Sequence, residues 1–151
     1  MNTEPKNPHG NIDQSILGRK NDYLFRVSIK ALILNEVGEI LVVKEAGRGR
    51  WGLPGGGMDH GESIKDALAR ELREEVSLIG DFIYTVISVD EPSFLKYSNV
   101  WQLRLVFLVK PNVMKFSIGE DGDDLMFIKP EALKYSADDS ERNVYTYSKL
   151  L

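Results

Sequence analysis

Hydrophobic and polar positions along the 151-residue chain fall into alternating, periodic and unpatterned stretches. The first 22 residues are polar, with Pro5, Pro8 and Gly10, and read as a flexible N-terminal tail that Ile16 and Leu17 could pin to the body. From Tyr23 the character changes, and residues 23–151 read as one domain. Phe25-Arg26-Val27-Ser28-Ile29-Lys30-Ala31 alternates with the period of a half-buried strand, then runs apolar through Leu34. Asn35-Glu36-Val37-Gly38 supplies turn chemistry, so Glu39 to Lys44 is expected to return as the second strand of a hairpin. Ala46 to Gly57 is glycine-rich and reads as loop. Ser63 to Val76 has helical periodicity, with Ser63 as N-cap and Asp66 at the capping-box position. Phe82 to Val89, Val100 to Val109 and Asp124 to Lys129 read as strands, and Pro130 opens a short helix through Leu133. Ala137 to Leu151 carries no decisive pattern. Strands, an amphipathic helix, more strands and a second helix predict an α+β domain with a mixed β-sheet sandwiched between helices.

The helical segment has an anomaly. At roughly 100° per residue, Glu71 and Glu75 fall within about 20° of Ile64, inside the arc that holds Leu68 and Ala67. Glu74 lies at the edge of that arc. An ordinary acidic helix keeps its glutamates on the solvent face. These two point inward near the helix C-terminus, where the macrodipole also opposes negative charge. Uncompensated, each would cost on the order of several kcal/mol when buried. Arg70 alone cannot neutralise three carboxylates. A hard divalent cation such as Mg²⁺ or Mn²⁺ can, and so can Lys or Arg side chains from a neighbouring strand. Spacing alone leaves both open.

Composition narrows the field. The net charge of −4 gives no basic footprint for duplex nucleic acid. A small anionic ligand remains compatible where bound cations offset acidic walls. The absence of cysteine excludes disulfides, thiolate zinc sites and cysteine nucleophiles. The N-terminus shows no apolar signal core and no apolar run approaches the roughly 20 residues of a membrane helix, so the expected location is the cytoplasm, with no membrane partner. Gly47-x-Gly49-x-x-Gly52 matches a dinucleotide fingerprint but opens no helix, since Leu53-Pro54 follows. No glycine is followed by the Lys-Ser/Thr of a P-loop, and Asp121-x-Asp123 lacks the remaining spacing of a calcium loop.

Gly56, five residues to Glu62, seven to Arg70-Glu71-Leu72, then Arg73, Glu74-Glu75, Val76, Ser77 and Leu78 together resemble the Nudix box, G-x5-E-x7-R-E-U-x-E-E-x-G-U. Residues 56–78 match every defining position except Ser77, which stands where the box has glycine. Trp51-Gly52-Leu53-Pro54-Gly55 resembles the usual approach to it. The resemblance implies a Nudix fold and a Mg²⁺-dependent hydrolase that cuts the diphosphate linkage of a nucleoside triphosphate, a nucleotide sugar or ADP-ribose. It implies Glu71, Glu74 and Glu75 as metal ligands, with the Gly55 carbonyl as a further one and Mn²⁺ as a substitute ion. Arg70 would bridge to Glu62 and orient the carboxylates. On the same resemblance the general base would be Glu74 or Glu75, with Glu120 or Asp121 on the acidic loop as outside candidates. Ser77 should adopt the left-handed cap that glycine normally eases.

Substrate contacts lie outside the box. Arg48 and Arg50 are candidates for phosphate, and Phe94, Tyr97 and Trp101 for stacking on a base. Relatives that cleave ADP-ribose often carry a proline about sixteen residues past the box; Pro92 comes fourteen past Leu78. The alternative is a non-catalytic Nudix-like nucleotide sensor, for which a degraded REUxEE would speak, and here that motif is intact. The oligomeric state does not follow from the sequence, and a homodimer is compatible with it.

Overall fold

A computed structural model describes residues 23–151; the predicted tail, with Ile16 and Leu17, lies outside the described residues. Strand β1 (Phe25–Leu32) alternates as its sequence dictates. Ile29, Ala31 and the following Ile33 enter one core cluster, and Leu32 enters another on the opposite face. Burial on both faces explains the unbroken apolar run at the end of the strand.

The partner of β1 is not the segment that follows it. β1 pairs in parallel with β6 (Val100–Pro111), from Phe25 opposite Trp101 to Leu32 opposite Leu108. β4 (Phe82–Val89) and the short β5 (Ser93–Leu95) pair antiparallel with β6, completing a four-stranded mixed sheet. β2 (Ile40–Glu45) instead joins β3 (Trp51–Gly52) and β7 (Gly122–Ile128) in a separate antiparallel sheet. The expected turn is present, with the Asn35 side chain accepting from the Val37 and Glu39 amides at 3.1 and 2.9 Å. Only one bridge, Leu34 to Ile40, survives of the expected hairpin. Ile40 and Val42 are buried on one side and Leu41 and Val43 on the other, so β2 gains more by crossing into the second sheet than by returning along β1.

Two helices cover the sheets. α1 (Ile64–Val76) starts where Ser63 accepts from the Asp66 amide at 3.1 Å, and it buries Ala67, Leu68, Leu72 and Val76 against Ile29, Leu41, Phe82 and Phe107. After a 3-10 turn at Pro130–Leu133 comes α2 (Asp139–Ser148), whose Val144 and Tyr147 close the opposite cluster over Leu32, Val42 and Leu53. The α+β sandwich is therefore as expected, with the strands divided between two sheets.

The C-terminal end of α1 is held by a loop crossing over it. Ser117, Gly119 and Asp121 donate backbone N–H groups to the carbonyls of Val76, Glu75 and Glu74 at 3.1, 3.0 and 3.2 Å. These carbonyls have no partner within the helix. The approach is so close that a Cβ on Gly119 would stand 2.0 Å from the Glu74 carbonyl oxygen.

Ser77 ends α1 in the left-handed region, φ 53° and ψ 31°. A side chain there is strained where glycine is not. Ser77→Gly is expected to raise stability by about 1 kcal/mol or less, read as a higher midpoint in urea denaturation with an unchanged slope.

Candidate active site

Three glutamates, Glu71, Glu74 and Glu75, lie within about one turn in the last half of α1. Glu71 and Glu75 are 9 % and 6 % exposed, among the few buried charged residues, while Glu74 is half-buried. The burial inferred from periodicity is thus present, in a helix whose neighbouring inward positions are Leu68, Leu72 and Val76.

The loop 54–58 runs along the edge of β1 left free by β6. Ile29 and Ala31 donate to the carbonyls of Gly56 and Pro54, and Met58 donates to the Val27 carbonyl, each at 2.9 Å. This pairing brings the Gly55 amide to 2.7 Å from Glu75 Oε2. It also turns the Gly55 carbonyl towards Lys30, whose Nζ donates to it at 2.6 Å. Gly55 has φ 133°, and a Cβ there would fall 2.1 Å from the Ile29 carbonyl oxygen. A Cβ on Gly56 would fall 2.7 Å from Glu71 Oε1, so the bare backbone leaves the carboxylate its room.

Arg70 ties the set together. Its Nε and Nη2 grip Glu62 in a fork, at 2.6 and 3.0 Å, and Nη2 also donates to the Gly57 carbonyl at 3.0 Å. Nη1 reaches Glu71 at 2.8 Å and Glu74 at 3.4 Å. The bidentate geometry fixes the guanidinium as a rigid plate between loop and helix. Burial pushes the Glu71 carboxyl above its ordinary range, a trend the Arg70 hydrogen bond opposes. The Arg70 hydrogen bond, aided by the Asp59 amide, holds Glu62 down at about 2. The Glu62 partner in turn raises Arg70.

Carboxylate oxygens from one helix face and a glycine carbonyl make an all-oxygen donor set, the chemistry a hard divalent cation selects. The bare Gly56 backbone lies close against the Glu71 carboxylate, and the burial that penalises its charge favours a cation beside it. The chemistry of these donors is that of a site for a hard divalent cation. Among the described residues, no three acidic or histidine side chains converge as a ready-made metal cluster; Arg70 and the Gly55 amide engage these carboxylates instead.

The remaining candidates divide. The backbone of Glu120 and Asp121 lies on the loop over the end of α1, with both residues exposed. Arg48 and Arg50 line a cleft between the β2–β3 loop and α2, and Arg50 approaches Asp138 at 3.7 Å. Phe94 packs against Trp101 with ring centroids 5.7 Å apart, and Tyr97 is fully exposed. Trp101 stands opposite Phe25 at the start of β1 and opposite Phe94 of β5, and none of the three aromatics lines the arginine cleft. Sequence reasoning missed Lys30, Arg104, Asn143 and Tyr147, which complete that cleft. Lys30 and Arg104 each interrupt an apolar run, Ile29-Lys30-Ala31 and Leu103-Arg104-Leu105, and that interruption was the available signal. Burial and the Asp90 carboxylate hold the Tyr147 phenol up at about 12.

The family description "NUDIX domain" matches residues 24–147. The chain is 38% identical over 102 residues to the 8-oxo-dGDP phosphatase NUDT18 of Mus musculus, covering 64% of this chain and 29% of that protein. It is 36% identical over 73 residues to an RNA pyrophosphohydrolase of Shewanella frigidimarina, covering 48% and 41% respectively. The chain thus spans less than half the length of either relative. A crystal structure of a MutT protein from Methanosarcina mazei superposes with a TM-score of 0.68 at 22% identity, over 83% of this chain and 93% of that one, a likeness of fold.

Glu62 titrates at about 2 when folded against an ordinary 4.5. A depressed carboxylate contributes stability above its unfolded value and loses it as pH falls through the folded one. Glu62→Gln should therefore be less stable than wild type above pH 4.5, with the gap closing as pH falls to about 2, measured by denaturant unfolding across that range.

Proposed function

The chain belongs to the NUDIX family, and from that premise we propose that it is a Mg²⁺-dependent hydrolase of the diphosphate linkage in a nucleoside diphosphate-linked substrate. The single observation that carries the reading is the pair of buried carboxylates, Glu71 and Glu75, on the packing face of α1 beside the Gly55 loop. The two relatives' names, a nucleoside diphosphate phosphatase and an RNA pyrophosphohydrolase, support substrates with linked phosphates. Nucleoside triphosphates, nucleotide sugars and ADP-ribose share that chemistry. We place the chain in the cytoplasm; among the described residues no helix is long and apolar enough to cross a membrane.

In this reading Glu71, Glu74, Glu75 and the Gly55 carbonyl hold the ion, and Mn²⁺ can substitute. When bound, such an ion would supply Lewis-acid chemistry: polarisation of a phosphate oxygen, offset of charge on the leaving phosphate and a more acidic water. Water adds to one phosphorus, the bridging P–O bond breaks, and the water's proton passes to a carboxylate of the site. Glu74 suits that task, being half-exposed and only loosely held, 3.4 Å from Arg70. Glu75 is the second candidate, with one oxygen already taken by the Gly55 amide. Glu120 and Asp121 stand over the end of the same helix as outside candidates. Arg70 acts as a positioning residue: its grip on Glu62 keeps the guanidinium from collapsing fully onto Glu71 and Glu74.

Replacing a ligand should cost more than replacing a surface acid. Glu74→Gln and Glu75→Gln are each expected to lower Mg²⁺-dependent release of phosphate or pyrophosphate by about 100-fold or more, with circular dichroism unchanged. The assay is a panel of nucleoside triphosphates, nucleotide sugars, dinucleotides and 5′-triphosphorylated RNA. Undiminished hydrolysis by both variants would contradict the assignment.

A further inference from the structure

The four-stranded sheet ends at β4. One side of that strand pairs with β6, and among the described residues no strand pairs with the other. Proteins normally blunt such an edge with charge, proline, brevity or a covering segment. The other edges of the molecule follow that rule. The loop 54–58 lies along the second side of β1, β3 and β5 have two and three residues, and β7 carries Asp123 and Asp124. β4 does not follow it, since Phe82 to Val89 contains neither a charged residue nor a proline. Its apolar side chains are uncovered as well, with Ile83 67 %, Val86 51 % and Val89 63 % exposed.

The ladder shows where the free main-chain groups point. Asn112 donates to the Asp81 carbonyl at 2.9 Å, so the groups of this opposed pair face each other. In an antiparallel ladder such pairs alternate with pairs whose groups face away. By the register, Ile83 and Thr85 bond to β6, while Phe82, Tyr84 and Val86 turn their N–H and C=O groups to the open side. The chemistry agrees. Phe82 stands opposite Pro111, which has no N–H to offer, and the Phe82 amide is taken by the Asp81 carboxylate at 2.9 Å. The Tyr84 and Val86 amides remain as outward donors. This stretch is regular, because the bulge comes only after Val86.

We propose that the β4 edge pairs with the same edge of a second copy of this chain, antiparallel about a two-fold axis at Tyr84. Tyr84 then exchanges both main-chain bonds with the partner's Tyr84, and the Val86 N–H reaches the carbonyl of the partner's Phe82. The register is self-complementary, since Phe82 and Val86 lie equally far from Tyr84 and all three face outward. On one face of the joined sheet Val86 meets the partner's Phe82; on the other Ile83 meets the partner's Thr85. No charge within Phe82 to Val89 is brought against its like. The exposed parts of Ile83, Tyr84, Val86 and Val89 amount to roughly 400 Å², about half of what each partner of a standard interface buries, before main chain and flanking side chains are added. A second copy also closes both open edges at once and ends the assembly at two chains.

Sedimentation equilibrium of the wild-type chain should show a dimer with a dissociation constant on the order of 10 μM, at the weak end for specific interfaces. Ile83→Glu and Val86→Lys, on opposite faces of the strand, put an unpaired charge into the seam and should each weaken the dimer by about 100-fold or more, with circular dichroism unchanged. Both positions are exposed, so either variant serves if the other does not fold. Amide hydrogen exchange gives the second readout: Tyr84 and Val86 should gain protection as the wild type dimerises and lack it in the variants. A wild-type chain that stays monomeric up to about 100 μM, or a dimer that both folded variants leave intact, overturns the proposal. So does full protection of those amides in the monomer, which would give the edge to another part of this chain.

Discussion

Glu71 and Glu75 place two carboxylates on the face of α1 that also buries Leu68, Leu72 and Val76, and the rest of the site is arranged around that costly choice. Desolvation disfavours their charged form, as the raised Glu71 carboxyl registers. Partial compensation comes from Arg70 on Glu71 and from the Gly55 amide on Glu75. The Gly55 contact depends on the loop that lies along β1, an edge that β6 leaves free by pairing with the other. The parallel β1–β6 pairing thus sits behind the position of the carboxylates.

A second support acts on the helix backbone. The last carbonyls of α1 carry the negative end of the helix dipole, close to the three glutamates. The 117–121 loop satisfies three of those carbonyls with its own amides. This draws off part of the repulsion that carboxylates meet at a helix C-terminus. It also explains why an acidic stretch, Glu120-Asp121, is brought to this end: its backbone serves the helix while its side chains face solvent.

How legible this was depended on whether a signal was local. α1 was readable because its cap, period and anomaly lie within fourteen residues, Ser63 to Val76. Ser77 in the left-handed region followed from its position at the helix exit. The partner of β1 was not readable: the turn at Asn35–Glu39 forms as expected, yet long-range burial sends β2 to β7. α2 was obscured because only Val144 and Tyr147 are fully buried, too few for a period to show. The cationic cleft was hidden for the same reason, since Lys30, Arg50 and Arg104 meet only through tertiary structure. Phe94, Tyr97 and Trp101 stand out in the sequence by residue type alone, and the fold sets them apart from the arginine cleft.

The central claim is that the buried carboxylates of α1 are held for a divalent cation. It is tested most directly by the thermal unfolding midpoint of wild type and Glu71→Gln as Mg²⁺ is raised from zero. A ligand bound only by the folded state stabilises it in proportion to the logarithm of its concentration, once above its dissociation constant. The account predicts a midpoint that climbs with Mg²⁺ in wild type and stays level in Glu71→Gln, with the variant at least as stable when no Mg²⁺ is present. Equal responses of the two proteins, or no response in wild type, would contradict it.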